Sequence, residues 1–449
     1  MNDDIDIYSE LLTSFLCNEG VNSNESLLRW INSENKRIYA VLEKTSLSSD
    51  TFWFFDENLS LIRNTNNSFF TIQGIKNEHI EQPIIVQNEV GYLGIICKRI
   101  NDIIHLLMQA KIEPGNVNKV QISPTIQATE SNFLRKHGGR EPYYLNYFQG
   151  SNYRIIYDGE EPEQCSRFYK KFNRNVIILL DENDDLPIYH GFKWMTIGQI
   201  KSLANNHDNL VNMDTRTVLS CIPYDLANPS FKTPLFNSIF GRDDSERCID
   251  LIKNEQKNVS ISQLIHLTEL KDWIVNDKGI FPKKSFAFHF EFFNVCIEGR
   301  EVTRWTQPLA VANGKALFAL AYIIKDNTMM FLVKIRDEIG CAFGSCFGPT
   351  IQFEAPFSKK HFKNPIEMKI FEKIQSNDCL VKTTLSEEGG RFYHEENINV
   401  ICMLDNNFTD AEISDSGFVL VTYKTIRRLI SKTHLVNIQL RNLLALLVD

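Results

Sequence analysis

The chain has no clustered cysteines, no long apolar run and no excess of basic residues. Its ten cysteines are scattered singly without a C-x-x-C pair, whereas zinc sites usually need tighter clusters with histidine nearby. Reduced thiols are therefore expected. No stretch reaches the roughly 18 uninterrupted apolar residues of a membrane span. The formal net charge is −8 at pH 7, which disfavours a nucleic-acid partner.

The N-terminus also lacks the pattern of a secretory signal. Residues 1–17 are acidic, and no cationic segment precedes their apolar residues. The length of 449 residues is enough for two or three domains with proper cores. We expect a cytoplasmic protein that interacts with neither membranes nor nucleic acid.

Two alternating runs around a turn carry most of the functional information. The turn is predicted at Pro114-Gly-Asn116. Polar residues on one face of paired strands indicate either the wall of a pocket for a polar ligand or an ordinary half-solvated sheet. Pro124 predicts an edge or a bulge in the second run. The first run places His105, Leu107, Gln109, Lys111 and Glu113 on one face, and the second places Gln121, Ser123, Thr125, Gln127 and Thr129 there.

The sequence contains a tandem repeat. Three segments (72–74, 82–83 and 124–127) recur at 297–299, 307–308 and 349–352, without a gap and at a constant offset of 225 (297 − 72). Further matches continue to the closing residues of each half. A repeat of about 220 residues predicts two copies of one structural unit.

Each half has the same predicted order of elements, namely a helical lead-in, an antiparallel strand-rich middle and a closing helix. The lead-in of the first half covers residues 1–50, including 26–31 and 37–43, and the closing helices cover 215–221 and 435–448. Proline, glycine and charged residues predict a linker at 226–260, between domains 1–225 and 261–449. The predicted class is α+β, with two similar domains packed about a pseudo-twofold axis.

Comparison of the two copies places the predicted chemistry in the first half. Lys111 and Glu113 persist as Arg336 and Glu338, and nothing in the second half matches 135–140. We expect the first pocket to be catalytic, while the second either binds a ligand without turnover or only braces the first. The positions of Asn116, Gln121, Ser123 and Thr129 hold Cys341, Cys346, Gly348 and Glu354 in the second half.

Several of these stretches resemble the sugar-nucleotide 2,3-dehydratases, which act on dTDP-4-keto-6-deoxyglucose. Residues 109–116, 120–129 and 136–139 are similar to the signature of that family, and 300–308 resembles a second stretch of it. The resemblance covers nearly the whole chain. It implies two tandem Nudix-like domains per subunit, a homodimer, a dTDP-linked sugar as substrate, and no metal or nicotinamide cofactor.

The metal-binding motif of Nudix hydrolases is absent from both halves. No G-x5-E-x7-R-E-x2-E-E box occurs, and Glu160-Glu161, Glu387-Glu388 and Glu395-Glu396 lack the arginine-glutamate pair ahead of them. A Mg²⁺-dependent pyrophosphatase would need those carboxylates to hold its ion. Together with the resemblance, this absence implies a binding fold that serves a different reaction.

The implied reaction is β-elimination of the C2 hydroxyl, which gives a 3,4-diketo-2,6-dideoxy sugar. It needs a base at C3, an acid at the C2 hydroxyl and a donor to the C4 enolate oxygen. Glu113 or His137 is the candidate base, although Glu113 could instead cap backbone amides and His137 only bind phosphate. Lys111 is the candidate donor to the enolate or the diphosphate, and Tyr143 or Tyr144 the candidate acid.

The remaining residues with an expected site role are substrate contacts. Arg135, Gly138, Gly139 and Arg140 suit the diphosphate, and Trp305 either stacks on the nucleobase or packs in the core. A keto-isomerase on the same scaffold and a non-catalytic sugar-nucleotide-binding protein are the alternative functions. The other expected contacts are Gln109, Asn116, Gln121, Ser123, Thr125, Gln127, Thr129, Ser131 and Asn132.

Overall fold

A computed structural model describes residues 3–48, 51–129, 141–150, 153–228, 232–298, 302–405 and 407–449. None of its described helices is both long and apolar enough to cross a bilayer. Numbered in chain order, the helices are α1 (Asp3–Leu16), α2 (Asn24–Arg37), α3 (Leu145–Gln149), α4 (Ile197–Asn206), α5 (Met213–Leu219), α6 (Pro234–Ile239), α7 (Ser245–Glu255), α8 (Pro365–Ser376), α9 (Asp410–Asp415), α10 (Tyr423–Thr433) and α11 (Ile438–Leu444).

The strands divide between the two halves of the chain. In the first half they are β1 (Ala40–Thr45), β2 (Trp53–Asp56), β3 (Leu61–Asn64), β4 (Thr71–Lys76), β5 (Glu81–Val86), β6 (Gly91–Ile100), β7 (Ile103–Ile112), β8 (Val120–Ser123), β9 (Ile126–Ala128), β10 (Arg154–Pro162), β11 (Phe172–Leu180) and β12 (Phe192–Met195). In the second half they are β13 (Gln263–Ile265), β14 (Trp273–Asn276), β15 (Gly279–Pro282), β16 (Phe288–Ile297), β17 (Arg304–Ala312), β18 (Ala316–Lys325), β19 (Thr328–Asp337), β20 (Ser345–Gly348), β21 (Ile351–Phe353), β22 (Val381–Ser386), β23 (Phe392–Tyr393), β24 (Glu396–Met403) and β25 (Val419–Val421).

Each half contains a mixed sheet of seven strands, and the two sheets share one topology. The order β10-β11-β6-β7-β12 in the first half, with β8 on β7 and β9 on β6, is repeated by β22-β24-β18-β19-β25, with β20 on β19 and β21 on β18. The registers also coincide, because Ile96 lies opposite Leu107 and Ala321 lies opposite Leu332 at the same offset of 225 (321 − 96). Mixed sheets with flanking helices give the α+β class that the sequence predicts.

The second polar run is broken at Pro124, where the sequence predicts an edge or a bulge. Strand β8 pairs with β7 and strand β9 pairs with β6, so the chain changes partner at this point. The Thr125 hydroxyl joins the same two strands, since it accepts from the Ile96 amide at 2.9 Å and donates to the Leu107 carbonyl oxygen. Thr350 makes the equivalent contacts in the second half.

Two smaller sheets exchange strands between the halves. Strand β13 of the second half pairs with β4 of the first, with Leu264 opposite Ile75. Strand β1 of the first half pairs with β16 of the second, with Leu42 opposite Val295. Each half therefore completes a sheet of the other half.

Two sequence predictions fail in this region. Residues 37–43 were expected to be helical, but Ala40–Thr45 is a strand, because pairing with β16 outweighs local helix propensity. The repeat is also not gap-free here. Pro83 lies opposite Gly74 and Pro308 lies opposite Phe292, so β4 and β16 are related by an offset of 218 (292 − 74) rather than 225.

The main apolar core lies between the halves. Helices α5 and α11 approach each other there, and the Thr217 hydroxyl donates to Asn442 Oδ1 at 3.3 Å. These two positions are equivalent in the repeat (442 − 217 = 225), so the pseudo-twofold axis passes between them. The segment 226–260, predicted to be a linker, contains α6 and α7, and Leu235, Phe236 and Ile252 bury their side chains in this core.

Candidate active site

A cavity of about 640 Å³ opens between the large sheet of the first half and two segments of the second half, 302–307 and 388–391. This volume is in the range of pockets for small-molecule ligands. Both halves therefore contribute to one site. Among the described residues, the charged and amide side chains that line it are Asn66, Gln87, Lys111, Glu113, Gln127, Glu163, Lys171, Asn173, Asp214, Arg304, Gln307, Glu388 and Arg391.

Lys111 and Glu113 lie at the end of β7 and form an ion pair in the cavity wall. Lys111 Nζ lies 2.9 Å from Glu113 Oε1 and donates to the Gln127 carbonyl oxygen at 2.8 Å. The turn that follows is fixed by the second half, because the Gly115 amide donates to the Gly389 carbonyl oxygen at 2.7 Å. A Cβ at Gly115 would lie 1.6 Å from the Phe392 carbonyl oxygen, so only glycine fits.

A second polar group is held by β11 and the segment before it. Lys171 Nζ donates to Asn173 Oδ1 at 2.8 Å, and the Asn173 amide donates to Glu163 Oε1. Burial lowers the pKa of Lys171 to about 8, although the Glu163 charge opposes the change. An ammonium with this pKa can both attract an anion and exchange a proton near neutral pH.

Helix α5 brings an aspartate to the cavity. Its first turn is capped by Asn212, which accepts from the Thr215 amide at 2.9 Å and donates to Gln127 Oε1 at 3.1 Å. Asp214, in that turn, is only 2% exposed. Burial raises the pKa of Asp214 well above its usual range, and the charge of Glu388 raises it further.

The second half supplies a carboxyl and a guanidinium. Glu388 Oε1 accepts from the Gly390 amide at 2.9 Å, and burial raises the pKa of Glu388 to about 7 against the opposing charge of Arg391. Arg391 donates to Gln87 Oε1 at 3.3 Å, and its guanidinium carbon lies 4.5 Å from the ring centre of Phe70. A buried carboxyl with a pKa near 7 can act as an acid or a base at physiological pH.

Aromatic side chains form another part of the wall. Trp305 donates its indole N–H to Gln307 Oε1 at 2.7 Å, and Gln307 donates to the Gly390 carbonyl oxygen at 3.0 Å. These bonds orient the Trp305 ring beside the cavity. Phe52, Trp53, Phe69 and Phe70 line the cavity with it. Flat apolar faces of this kind suit a nucleobase.

Some of the residues predicted from the sequence meet in this cavity. Lys111, Glu113, Gln127, Thr129 and Trp305 line it. The first four lie at the ends of β7 and β9, where the sheet opens toward the second half, and Trp305 comes from β17 of the second half. On the same face of β7, Leu107 is instead buried in a core cluster.

Other predicted contacts are not among the residues that line the cavity. Thr125 and Ser123 are buried, and Thr125 joins β6 to β7 as described above. Gln121 donates to Ser386 Oγ at 2.6 Å, so it links the two halves. Asn116 donates to the Lys119 carbonyl oxygen at 2.8 Å and closes the turn. Gln109 lies in the paired region between β8 and β12.

The candidate tyrosines also lie away from the cavity wall. Tyr143 is 50% exposed, and its ring centre lies 4.7 Å from that of Tyr189. Tyr144 is buried and donates to the Pro187 carbonyl oxygen at 2.8 Å. Burial raises the pKa of Tyr144 to about 12. The predicted residues Ser131, Asn132, Arg135, His137, Gly138, Gly139 and Arg140 lie outside the described residues.

Sequence reasoning missed Glu163, Lys171, Asp214, Glu388 and Arg391. They come from loops, a helix and the other half, where strand periodicity gives no signal. Comparison of the copies could have found two of them. Asp214 is replaced by Gln439 at the offset of 225 (439 − 214). Lys171 is replaced by Glu395 at the offset of 224 (395 − 171), which is also the offset between Arg167 and Arg391.

The residues at the equivalent positions of the second copy bond to one another. Glu338 Oε1 accepts from Gln352 Nε2 at 3.0 Å and from Asn437 Nδ2 at 2.8 Å. Arg167, at the position that Arg391 holds in the first site, pairs with Glu354 at 2.8 Å. Glu354 stands where the first copy has the neutral Thr129, so the ion pair of Arg167 and Glu354 occupies this position in the second copy. Glu338 and Arg167, which stand at the positions of Glu113 and Arg391, are thus bonded to protein groups in the second copy.

Comparison with known proteins gives one consistent result. A family model described as NDP-hexose 2,3-dehydratase matches residues 24–222 and 246–447. A dTDP-4-dehydro-6-deoxy-alpha-D-glucopyranose 2,3-dehydratase of Saccharopolyspora spinosa is 34% identical over 416 residues, which cover 88% of this chain and 85% of the relative. A protein of the same name from Amycolatopsis orientalis is 30% identical, over 94% of this chain and 89% of its own length. Another from Streptomyces violaceoruber is also 30% identical, over 90% of this chain and 92% of its own length.

Proposed function

This chain belongs to the NDP-hexose 2,3-dehydratase family, and from that premise we propose that it removes water from dTDP-4-keto-6-deoxy-D-glucose. The C2 hydroxyl leaves by β-elimination, and the enol that forms tautomerises to the 3,4-diketo-2,6-dideoxy sugar. The relatives that share its length carry the name of this activity. The enzyme is therefore a hydro-lyase of deoxysugar biosynthesis.

The single observation that carries the mechanism is the ion pair of Lys111 and Glu113 inside the cavity. The C4 carbonyl acidifies the C3 hydrogen, so a carboxylate can remove that hydrogen as a proton. Glu113 is the base in this proposal, and the Lys111 ammonium stabilises the enolate oxygen at C4. Such a base contributes typically about 10²–10⁴-fold to the rate, and the enolate donor a similar amount.

The other cavity groups suit the nucleotide part of the substrate. Trp305 offers a flat face to the thymine ring, and Arg304 and Arg391 offer positive charge to the diphosphate. Gln127 and Thr129 line the same cavity and offer hydrogen-bonding groups to the sugar hydroxyls. Burial of a diphosphate requires such cations, because an unpaired charge in a cavity is costly.

Direct product analysis tests the reaction. The purified protein is incubated with dTDP-4-keto-6-deoxy-D-glucose and EDTA, and the diketone is trapped with a 1,2-diamine for mass spectrometry. We expect a trapped species that derives from a product one water lighter than the substrate. Recovery of unchanged substrate under these conditions would contradict the proposed function.

The proposal extends to the architecture and the setting of the protein. The mixed sheet of seven strands in each half supports a Nudix-like domain, with boundaries at 1–225 and 261–449 and the connecting segment 226–260 between them. The ten cysteines are free thiols, which supports a reducing, cytoplasmic location. The family resemblance supports a homodimer, and sedimentation analysis of the full chain tests it.

A further inference from the structure

The elimination needs a proton for the departing C2 hydroxyl, and the roles of Glu113 and Lys111 leave that proton without a donor. Among the described residues, four carboxyls line the cavity. Glu113 is paired with Lys111, Glu163 accepts from Asn173, and Glu388 accepts from the Gly390 amide. Neighbouring donors thus already engage these three carboxyls. The fourth carboxyl belongs to Asp214.

Asp214 differs from the other three in its surroundings. The residue is 2% exposed and still lines the cavity. The capping bond of the same turn joins the Thr215 amide to Asn212 and does not involve the Asp214 side chain. Asp214 thus combines deep burial with a place in the cavity wall, where a ligand can meet its carboxyl.

The electrostatic surroundings favour the protonated form of this carboxyl. Burial raises the pKa of Asp214 well above its usual range, and the charges of Glu388, Glu163 and Glu113 raise it further, while Lys111 opposes them. Like charges around one site force one carboxyl to hold its proton. A protonated acid can therefore coexist with an ionised base in the same cavity.

The second copy provides an internal comparison. Gln439 stands at the position of Asp214, and Gln164 at the position of Glu388 (388 − 164 = 224). Both glutamine amides are buried and make no hydrogen bond within the part of the chain that the structure describes. The second copy thus keeps a polar group at both positions, whereas only the first copy has carboxyls there.

We propose that Asp214 is the general acid of the dehydration, a role that rests on the proposed function. Glu113 takes the C3 proton, and the C3–H electron pair forms the C3–C4 double bond of an enolate whose C4 oxygen Lys111 stabilises. The C4 carbonyl then re-forms, the electron pair becomes the C2–C3 double bond, and the C2–O bond breaks. The leaving oxygen takes the Asp214 proton and departs as water. In the tautomerisation C2 gains a proton from Glu113 and the enol hydroxyl loses one to Asp214, which restores both carboxyls.

The experiment separates proton removal from elimination. Wild type and Asp214→Asn are each incubated with dTDP-4-keto-6-deoxy-D-glucose in D₂O, and NMR follows both the trapped product and deuterium at C3 of the recovered substrate. In Asp214→Asn we expect dehydration to fall about 10²–10⁴-fold while exchange at C3 continues. Gln439→Asn, which shortens the equivalent amide of the second copy, is the matched control and retains wild-type dehydration.

A fluorinated substrate separates an acid from a structural residue. The analogue with fluorine in place of the C2 hydroxyl loses fluoride, which needs no protonation. Asp214→Asn is expected to release fluoride within about tenfold of the wild-type rate, whereas Glu113→Gln remains slow on both substrates. The role of Asp214 as general acid would be overturned if Asp214→Asn lost dehydration and fluoride release equally. It would also be overturned if Asp214→Asn dehydrated the natural substrate at the wild-type rate. Absence of dehydration in the wild type would instead count against the proposed function.

Discussion

The ammonium of Lys111 and the carboxylate of Glu113 are 2.9 Å apart, with side chains that are 15% and 9% exposed. The equivalent residues of the second copy are engaged elsewhere. Arg336 donates to the carbonyl oxygens of Pro349 and Thr350 at 2.8 and 3.0 Å, and Glu338 accepts from Gln352 and Asn437. The described contacts thus pair the carboxylate with the cation in the first copy.

Replacement of Glu113 tests the base. Glu113→Gln is expected to lower kcat by about 10²–10⁴-fold, because an amide of the same shape cannot accept the C3 proton. The measurement is the rate of trapped diketone formation. Glu338→Gln is the matched control and should keep wild-type activity. If His137→Asn lost the activity and Glu113→Gln kept it, the base would be His137.

Replacement of Lys111 tests the stabilisation of the enolate. Lys111→Met is expected to lower kcat by about 10²–10³-fold, because the positive charge at the C4 oxygen is lost. Arg336→Met removes the equivalent cation of the second copy. Lys111→Met leaves one backbone carbonyl oxygen without its donor and Arg336→Met leaves two. Both variants should therefore unfold at a lower Tm, but only Lys111→Met should lose activity. Equal activity in the two variants would contradict the assignment.

Replacement of Trp305 tests the nucleobase contact. Trp305→Ala is expected to weaken dTDP binding about tenfold or more, since loss of stacking on a base costs about 1–3 kcal/mol. Calorimetric titration with dTDP measures the effect. Trp305→Phe retains an aromatic face and should recover most of the affinity. Unchanged dTDP affinity in the alanine variant would place the base elsewhere.

Stability should depend on pH through three buried carboxyls. Burial raises the pKa of Glu387 and Glu388 to about 7 and that of Glu395 to about 8. Between the unfolded value of about 4.3 and these values, the folded state binds more protons than the unfolded state. The free energy of unfolding should therefore fall as the pH rises from about 5 to 8. Glu395→Gln should flatten the fall of Tm across this range, and an unchanged slope would contradict the shift.

The exposed Tyr143 offers a test of the alternative acid. Its ring lies against Tyr189 and Phe192, outside the residues that line the cavity. Tyr143→Phe is therefore expected to dehydrate the substrate within about twofold of the wild-type rate, since no reacting atom would be near the hydroxyl. A loss as large as that of Asp214→Asn would assign the proton donor to Tyr143.

Local patterns in the sequence predicted the parts of the site that belong to paired strands. Alternation with a period of two placed Lys111, Glu113 and Gln127 on one side of β7 and β9, and those side chains do line the cavity. The same alternation also placed Gln121 and Thr125 there. It could not show that Gln121 is covered by Ser386 of the other half, because periodicity describes a face of a strand and not what covers it.

Long-range pairing explains the other failures. Asp214 and Glu388 reach the cavity from a helix and from the second half, about 100 and 275 residues after Glu113 in the chain. No local signal specifies such an encounter. The strand at 40–45 was predicted as helix for the same reason, since its partner β16 lies far away in the sequence.

The exchange of β1 and β13 has an evolutionary consequence. A single ancestral half with this fold would have lacked one strand of its own small sheet, so it would have required a second copy as its partner before the genes fused. Fusion made the two copies free to diverge in chemistry while each still depended on the other for folding. The second half cannot then be lost or drift freely, because selection on the first site also acts on the strand, the carboxyl and the guanidinium that the second half supplies to it.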